Sequence, residues 1–263
     1  MISRFLHRHL LAAAAFVLSG ALVTAQPPKQ LQVVNAAGGG AVIAPNSIVS
    51  AFGLQIGAST KSALTLPLPT VLSGVSLQIT DSLSVSGLQS LFYVAPNQIN
   101  FVVSNIATGT ANVKVLNGDT PEPTATVQVA SVAPGLFTVN GAGTGVPAAI
   151  AIRRSIATQT DTEVPVFQCS ANVCDSTGID TGPDAQVFLE LFGTGIRGRS
   201  SLANVTVTIN GVNATVLFAG AQGQFPGLDQ VNVVMPTNAG HGEKDLILTV
   251  DGRAANTVRI NLK

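Results

Sequence analysis

Gln98-Ile99-Asn100-Phe101-Val102-Val103 returns later in the chain as Gln230-Val231-Asn232-Val233-Val234-Met235. Its neighbours return with it, in the same order. Ser47-Ile48-Val49-Ser50-Ala51-Phe52-Gly53 and Val75-Ser76-Leu77-Gln78-Ile79 precede the first copy; Val187-Phe188-Leu189-Glu190-Leu191-Phe192-Gly193 and Val205-Thr206-Val207-Thr208-Ile209 precede the second. Val113-Lys114-Val115-Leu116-Asn117-Gly118 and Leu248-Thr249-Val250-Asp251-Gly252 follow them. Val75, Leu77 and Ile79 alternate with Ser76 and Gln78, as Val205, Val207 and Ile209 alternate with Thr206 and Thr208. A period of two puts the apolar set on one sheet face and the polar set on the other. Asn210-Gly211, directly after the last of these strands, is a tight-turn signal, because both residues tolerate positive φ.

A unit of roughly a hundred residues built of short strands is the size of an immunoglobulin-like sandwich. The expected fold is therefore all-β: two immunoglobulin-like β-sandwich domains, at 31–130 and 185–263, joined by a β-rich insert at 131–184 with one disulfide loop. Asn117-Gly118 and Asp251-Gly252 should turn the chain into its last strands, at 124–129 and 257–262. The insert is expected to form a hairpin or two packed between the sandwiches, making the pair one semi-rigid body.

The copies differ where Leu217 runs to Gln230 over a longer path than Phe92 runs to Gln98. The extra residues include Gln224, Phe225, Pro226 and Leu228, a candidate interaction loop, since loops carry much of a protein's recognition. The competing reading has Phe225 and Leu228 folding back to cap the sandwich end, and it is favoured because loops of this length commonly pack on their own side chains.

The first residues read as a targeting segment. Arg4, His7 and Arg8 are followed by an apolar run over 10–18 and by Val23-Thr24-Ala25, which fits a secretory signal peptide at 1–25. No later run is apolar and long enough for a membrane span, so no transmembrane anchor is expected after cleavage. The whole chain balances 13 basic against 13 acidic residues, and losing Arg4 and Arg8 tips it slightly negative. Without a basic stripe, nucleic acid is excluded as an expected partner. Cys169 and Cys174 are the only cysteines, and in an oxidising compartment they most simply form a disulfide.

Candidate chemistry is thin. Gly193-Thr194-Gly195-Ile196-Arg197-Gly198 has the glycine spacing of a dinucleotide fingerprint, but that motif works only when a helix N-terminus follows, and here another strand follows. It reads as a glycine-rich bend. After residue 25 the one histidine is His241, between Gly240 and Gly242, and no GxSxG elbow is present. Asp161, Glu163, Asp175, Asp180 and Asp184 fall around the cysteines but match no compact calcium loop. No catalytic residue, cofactor or metal is assigned.

Val34-Asn35-Ala36-Ala37, the run from Ile43-Ala44-Pro45 to Phe52-Gly53, Leu91-Phe92-Tyr93-Val94-Ala95-Pro96-Asn97-Gln98-Ile99-Asn100-Phe101, Val132-Ala133-Pro134-Gly135-Leu136-Phe137, Leu191-Phe192-Gly193-Thr194-Gly195-Ile196-Arg197-Gly198 and Gly223-Gln224-Phe225-Pro226-Gly227-Leu228-Asp229-Gln230-Val231-Asn232 form a set of motifs. Together they resemble an uncharacterised secreted acidobacterial C-terminal domain family, the Solibacter-type C-terminal domain. The repeats also look like the IPT/TIG-type immunoglobulin-like domains of receptors and transcription factors. The resemblance implies a secreted protein but carries no established activity, so it transfers no functional residue. Members usually sit behind other extracellular modules, and this chain departs from that by having almost nothing between leader and domain.

These readings lead to one expectation: a secreted or cell-surface, non-catalytic module for protein interaction, adhesion or envelope assembly. Its partner would be an extracellular or envelope protein, and its oligomeric state is left open. The alternative is a carbohydrate-binding module, disfavoured because the chain has no Trp and a single Tyr, Tyr93, expected to be buried in a strand. A third reading, an extracellular hydrolase, requires Asp161 or Glu163 to pair with Asp180 in a pocket.

Overall fold

The structure, a computed structural model, describes residues 30–118, 122–170 and 173–263. The expected leader, 1–25, lies outside the described residues. The described chain is all-β; its one helical element is a 3-10 turn at Leu202–Asn204.

The first copy is a sandwich of two five-stranded sheets. One sheet runs Gln32–Asn35, Ile48–Phe52, Gln98–Val102, Ser90–Ala95, Lys61–Ser62. The other runs Val42–Ile43, Thr124–Val129, Gly109–Leu116, Ser76–Thr80, Ser86–Leu88. The alternation read in the sequence is what closes the core: Leu77, Ile79, Val113 and Val115 meet Val49, Ala51, Ile99 and Phe101 with no exposed surface. Polar residues between them face water.

The second copy repeats the main strands of this layout, with its two layers joined into one sheet through Val212–Ala221 and with Asp161–Val164 added at one edge. Ala149–Ser155, Ala185–Thr194, Asp229–Val234 and Val212–Ala221 form one layer; Gly178–Ile179, Val258–Leu262, Gly242–Val250 and Val205–Ile209 form the other. In both copies a short strand pairs in parallel with the last strand, Val42–Ile43 with Thr124–Val129 and Gly178–Ile179 with Val258–Leu262. The chain therefore crosses between sheets at the same point in each copy, an arrangement found in immunoglobulin-like sandwiches. The last strands lie at Thr124–Val129 and Val258–Leu262, where the turn signals place them. Asn210 and Gly211 have φ of 51° and 78°, and Asp251 and Gly252 47° and 77°, as primed turns require.

Two features of the repeat go beyond the sequence pattern. Each copy has a β-bulge at the same place, skipping Phe92 between Leu91 and Tyr93 and skipping Leu217 between Val216 and Phe218. And the segment 131–184 is not one body. Its strand Ala149–Ser155 pairs along Ala185–Thr194, in the position that Gln32–Asn35 holds beside Ile48–Phe52. Gly178–Ile179 likewise stands where Val42–Ile43 stands. These strands complete the second sandwich, while 131–148 run through the junction between the two.

The junction is tightly closed. Asn35 Nδ2 donates to the Ala133 carbonyl at 2.7 Å, and Asn35 Oδ1 accepts from Ala37 N at 2.8 Å. Asn256 takes the Leu136 N–H at 2.8 Å and donates to the carbonyls of Leu136 and Gly143 at 2.9 and 2.8 Å. A Cβ on Gly38 would stand 2.7 Å from Asn256 Oδ1, and one on Gly135 2.6 Å from Asn35 Oδ1. A side chain at either glycine would push aside the asparagine amide that bridges the junction.

Candidate functional site: surfaces at the junction and on the first sandwich

The candidate loop 222–228 sits at the junction. Gly227, with φ of 76°, packs on the first sandwich, where an added Cβ would meet Ile48 at 2.7 Å and Val102 at 3.4 Å. Thr194 fixes this contact: its hydroxyl donates to the Gly227 carbonyl at 2.7 Å and accepts from Ile48 N at 2.8 Å. Of the four residues named from sequence, Gln224 and Phe225 are exposed, and Pro226 and Leu228 are half-buried. Phe225 keeps 57 % of its surface open, so it is not an end cap.

Asp229, at the loop's end, organises the glycine-rich bend. Its side chain is fully buried and accepts from Ile196 N at 2.7 Å, from Arg197 N at 3.2 Å and from Arg197 Nε at 2.6 Å. Burial pushes its carboxyl up, while the Ile196 N–H and the Arg197 guanidinium pull it down. The bend it holds is pressed against the linker: a Cβ on Gly193, Gly195 or Gly198 would run into the carbonyl oxygens of Gly135, Ala133 and Ser131. The spacing that imitates a nucleotide fingerprint is thus a seam for a neighbouring backbone.

The acidic residues near the cysteines do not converge. Asp161 takes two hydrogen bonds of 2.7 Å from Arg154, and Asp184 one of 2.6 Å from Arg153, which lies 3.5 Å from Asp180. The arginines hold the Asp161 and Asp184 carboxyls below their usual range. Asp161 and Glu163 do not pair with Asp180, and all three are exposed. Among the described residues no group of three or more His, Cys, Asp or Glu could hold a metal ion. His241 is exposed in its loop. Cys169 and Cys174 form the disulfide, directly opposite each other in the hairpin Phe167–Ser170/Val173–Ser176. That hairpin is tied to the second sandwich, with the Ser176 hydroxyl donating to Glu243. The expected staple between the sandwiches is therefore a staple within a side hairpin, and 131–148 fill the junction instead.

The surface that sequence reasoning missed is the free flank of the first sandwich. Lys61–Ser62 and Ser86–Leu88 are edge strands on the same side, opposite the edge shared by Gln32–Asn35 and Val42–Ile43. Leu64 is 90 % exposed, Leu83 73 %, Val85 62 % and Leu66 58 %, with Leu88 beside them also exposed. Leu83 and Val85 flank Ser84, whose φ is 63°. Asp81 builds this turn by accepting from Leu83 N at 2.9 Å, Val85 N at 3.0 Å and Ala107 N at 3.0 Å. Those N–H groups, Ala107 and Val85 foremost, hold the Asp81 carboxyl below its usual range. In the second copy Val212–Ala221 runs unbroken from one layer into the other and closes this flank. The signal was available in the chain: Leu64-Thr65-Leu66-Pro67-Leu68-Pro69 and Leu83-Ser84-Val85 have no counterparts in the second copy.

No family model and no curated protein matches the chain. Among solved structures it is similar to titin immunoglobulin tandem domains A164–A165, at 8 % identity and a TM-score of 0.23, covering 84 % of this chain and 91 % of that one. It is also similar to domains 5–6 of the S-layer protein SbsC, at 11 % identity and a TM-score of 0.24, covering 88 % and 94 %. Likenesses this slight carry no argument about shape or role, and the immunoglobulin-like fold rests on the strand pairing itself.

Proposed function

We propose that this chain is a non-catalytic module of the cell surface or extracellular space, which binds an envelope or extracellular protein through the free flank of its first sandwich. The observation that carries this is the exposure of Leu64 and Leu66, just past the edge strand Lys61–Ser62, and of Leu83, Val85 and Leu88, in and just before the edge strand Ser86–Leu88. Exposed apolar residues gathered beside sheet edges are a liability unless something covers them. Here one of the two turns that hold them out is built deliberately, by a carboxylate with three backbone donors. The leader expected at 1–25 and the disulfide support a site outside the cytoplasm. The resemblance to the secreted Solibacter-type domain points the same way. Asp161 and Asp184 are paired with arginines and neither Asp161 nor Glu163 meets Asp180, so the hydrolase reading lacks the carboxylate pair it requires.

The test is co-purification of tagged full-length protein from envelope and extracellular fractions, beside a Leu64→Ser/Leu83→Ser/Val85→Ser variant with an unchanged circular dichroism spectrum. A defined partner retained by the native protein and lost by the variant is expected. Equal retention by both, or none by either, contradicts the reading.

A further inference from the structure

The repeated Gln-x-Asn block makes the same outward surface twice. In the first sandwich Asn100 stands between Ser50 and Tyr93, with Val34 beyond Ser50; Gln98, one row on, stands between Phe52 and Ala95. In the second, Asn232 stands between Glu190 and Phe218, with Ile150 beyond Glu190; Gln230 stands between Phe192 and Gly220. Directly opposite residues of antiparallel strands share a face. Each copy therefore sets an Asn and a Gln between two aromatic rings on the outside of its sheet. All of these amides and rings are at least partly exposed, and none belongs to either core.

The details repeat too. Gln98 Nε2 donates to Asn100 Oδ1 at 2.8 Å, and Gln230 Nε2 to Asn232 Oδ1 at 2.8 Å. Ser50 adds a bond to Asn100 Oδ1 at 2.9 Å. These bonds occupy the Asn oxygen and the Gln nitrogen. Among the described residues the Asn Nδ2 groups and the Gln Oε1 atoms have no protein partner, so each copy offers a donor beside an acceptor. In the second copy a small residue makes room for a ring: a Cβ on Gly220 would lie 3.2 Å from the Phe218 ring, which therefore lies across the sheet instead of standing off it. The bulges that skip Phe92 and Leu217 immediately precede Tyr93 and Phe218 and put each ring opposite its Asn.

From this geometry we infer that the two strips bind a neutral polysaccharide. A free amide donor and acceptor side by side suit two neighbouring hydroxyls of a sugar, and an exposed ring beside them, lying flat in the case of Phe218, suits the sugar's C–H face. The first strip carries no charged side chain and the second only Glu190, which disfavours a polyanion. An open depression of about 840 Å³ adjoins the first strip at Phe52, at the sandwich edge, lined by Gln32, Phe52, Leu54 and Asn97 and by Thr124 and Thr126 of the other sheet. At its other end Gly227 covers Ile48 and Val102, one row past Asn100, so the second sandwich's loop borders the first sandwich's strip. Two like sites on one body match a polymer of repeating units and gain by avidity.

This inference rests on the surface-module reading and adds a second ligand of a different class. Its test is affinity electrophoresis of the full chain in gels containing neutral glucans, mannans or xylans, with alginate as the anionic control, followed by an array of neutral oligosaccharides. Retardation by at least one neutral polymer and none by alginate is expected. Gln98→Ala/Asn100→Ala and Gln230→Ala/Asn232→Ala should each weaken it about tenfold, and all four together abolish it. Asn100→Asp with Asn232→Asp, which keep the side-chain shape, should weaken binding as well, so that a folding defect cannot imitate the result. A blank array, or variants that bind as the native chain does, overturns the inference. If the flank variant still loses its protein partner in that case, only the glycan inference fails; an envelope protein captured by the strips in place of glycan also overturns it.

Discussion

Asp229 shows how much one residue can organise in this chain. It ends the loop that docks on the first sandwich and anchors the bend that lies along the linker, through two backbone donors and Arg197. Removing Asp229 leaves the Ile196 and Arg197 N–H groups and the half-buried Arg197 guanidinium without their acceptor, at a cost of about 3 kcal/mol. Asp229→Ala should therefore lower the urea midpoint by that equivalent without changing the m-value, whereas a surface exchange such as Asp175→Ala should leave it in place. Asp81 makes a prediction that depends on pH. Its carboxyl is held below the usual range, so its contribution is present above the unfolded value and is lost as pH falls through the folded one. The melting temperature of the native protein should exceed that of Asp81→Asn at neutral pH, and the gap should close below about pH 4. A gap independent of pH would show that the charge plays no part in holding the Leu83–Val85 turn.

At the scale of elements, the bend at 193–198 and the linker at 131–135 fit together as backbones with no side chain between them. Gly195 has φ of 74° as well as the Ala133 carbonyl against it, so strain and collision act together. Gly195→Ala should destabilise by more than about 1 kcal/mol, read as a lowered midpoint, and Gly211→Ala, with open space around it, by less. The same elements show what the sequence makes legible. Val205–Ile209 and Thr124–Val129 lie where alternation and turn residues place them, because period-two burial is local information. The role of Ala149–Ser155 is not local: it becomes a strand of the second sandwich only by pairing with Ala185–Thr194, and nothing in its own residues names that partner. The loop's docking is hidden for the same reason, since Gly227 meets Ile48 across a long stretch of chain. Tyr93 was expected inside; the bulge at Phe92 turns it outward into the strip, a shift that spacing alone does not show. The apolar flank was readable as unmatched Leu and Val, but only the topology puts both groups on one side.

For the whole molecule, the duplication yields two unlike halves on one plan. The first half has the open apolar flank; the second closes that flank and uses its longer loop to grip its neighbour. Asn35, Thr194, Gly227 and Asn256 meet at the seam with direct hydrogen bonds and glycine-close backbones, leaving no free linker between the sandwiches. The paired strips depend on this, because a fixed separation sets the effective concentration of the second site for a polymer held at the first. The decisive measurement is the distance distribution between spin labels at Ser86→Cys and Thr206→Cys, one in each sandwich, by double electron–electron resonance with the Cys169–Cys174 bridge intact. A single narrow distance, unchanged by moderate shifts in salt, is the predicted result; a broad distribution, or one that splits into two populations, would contradict a welded pair.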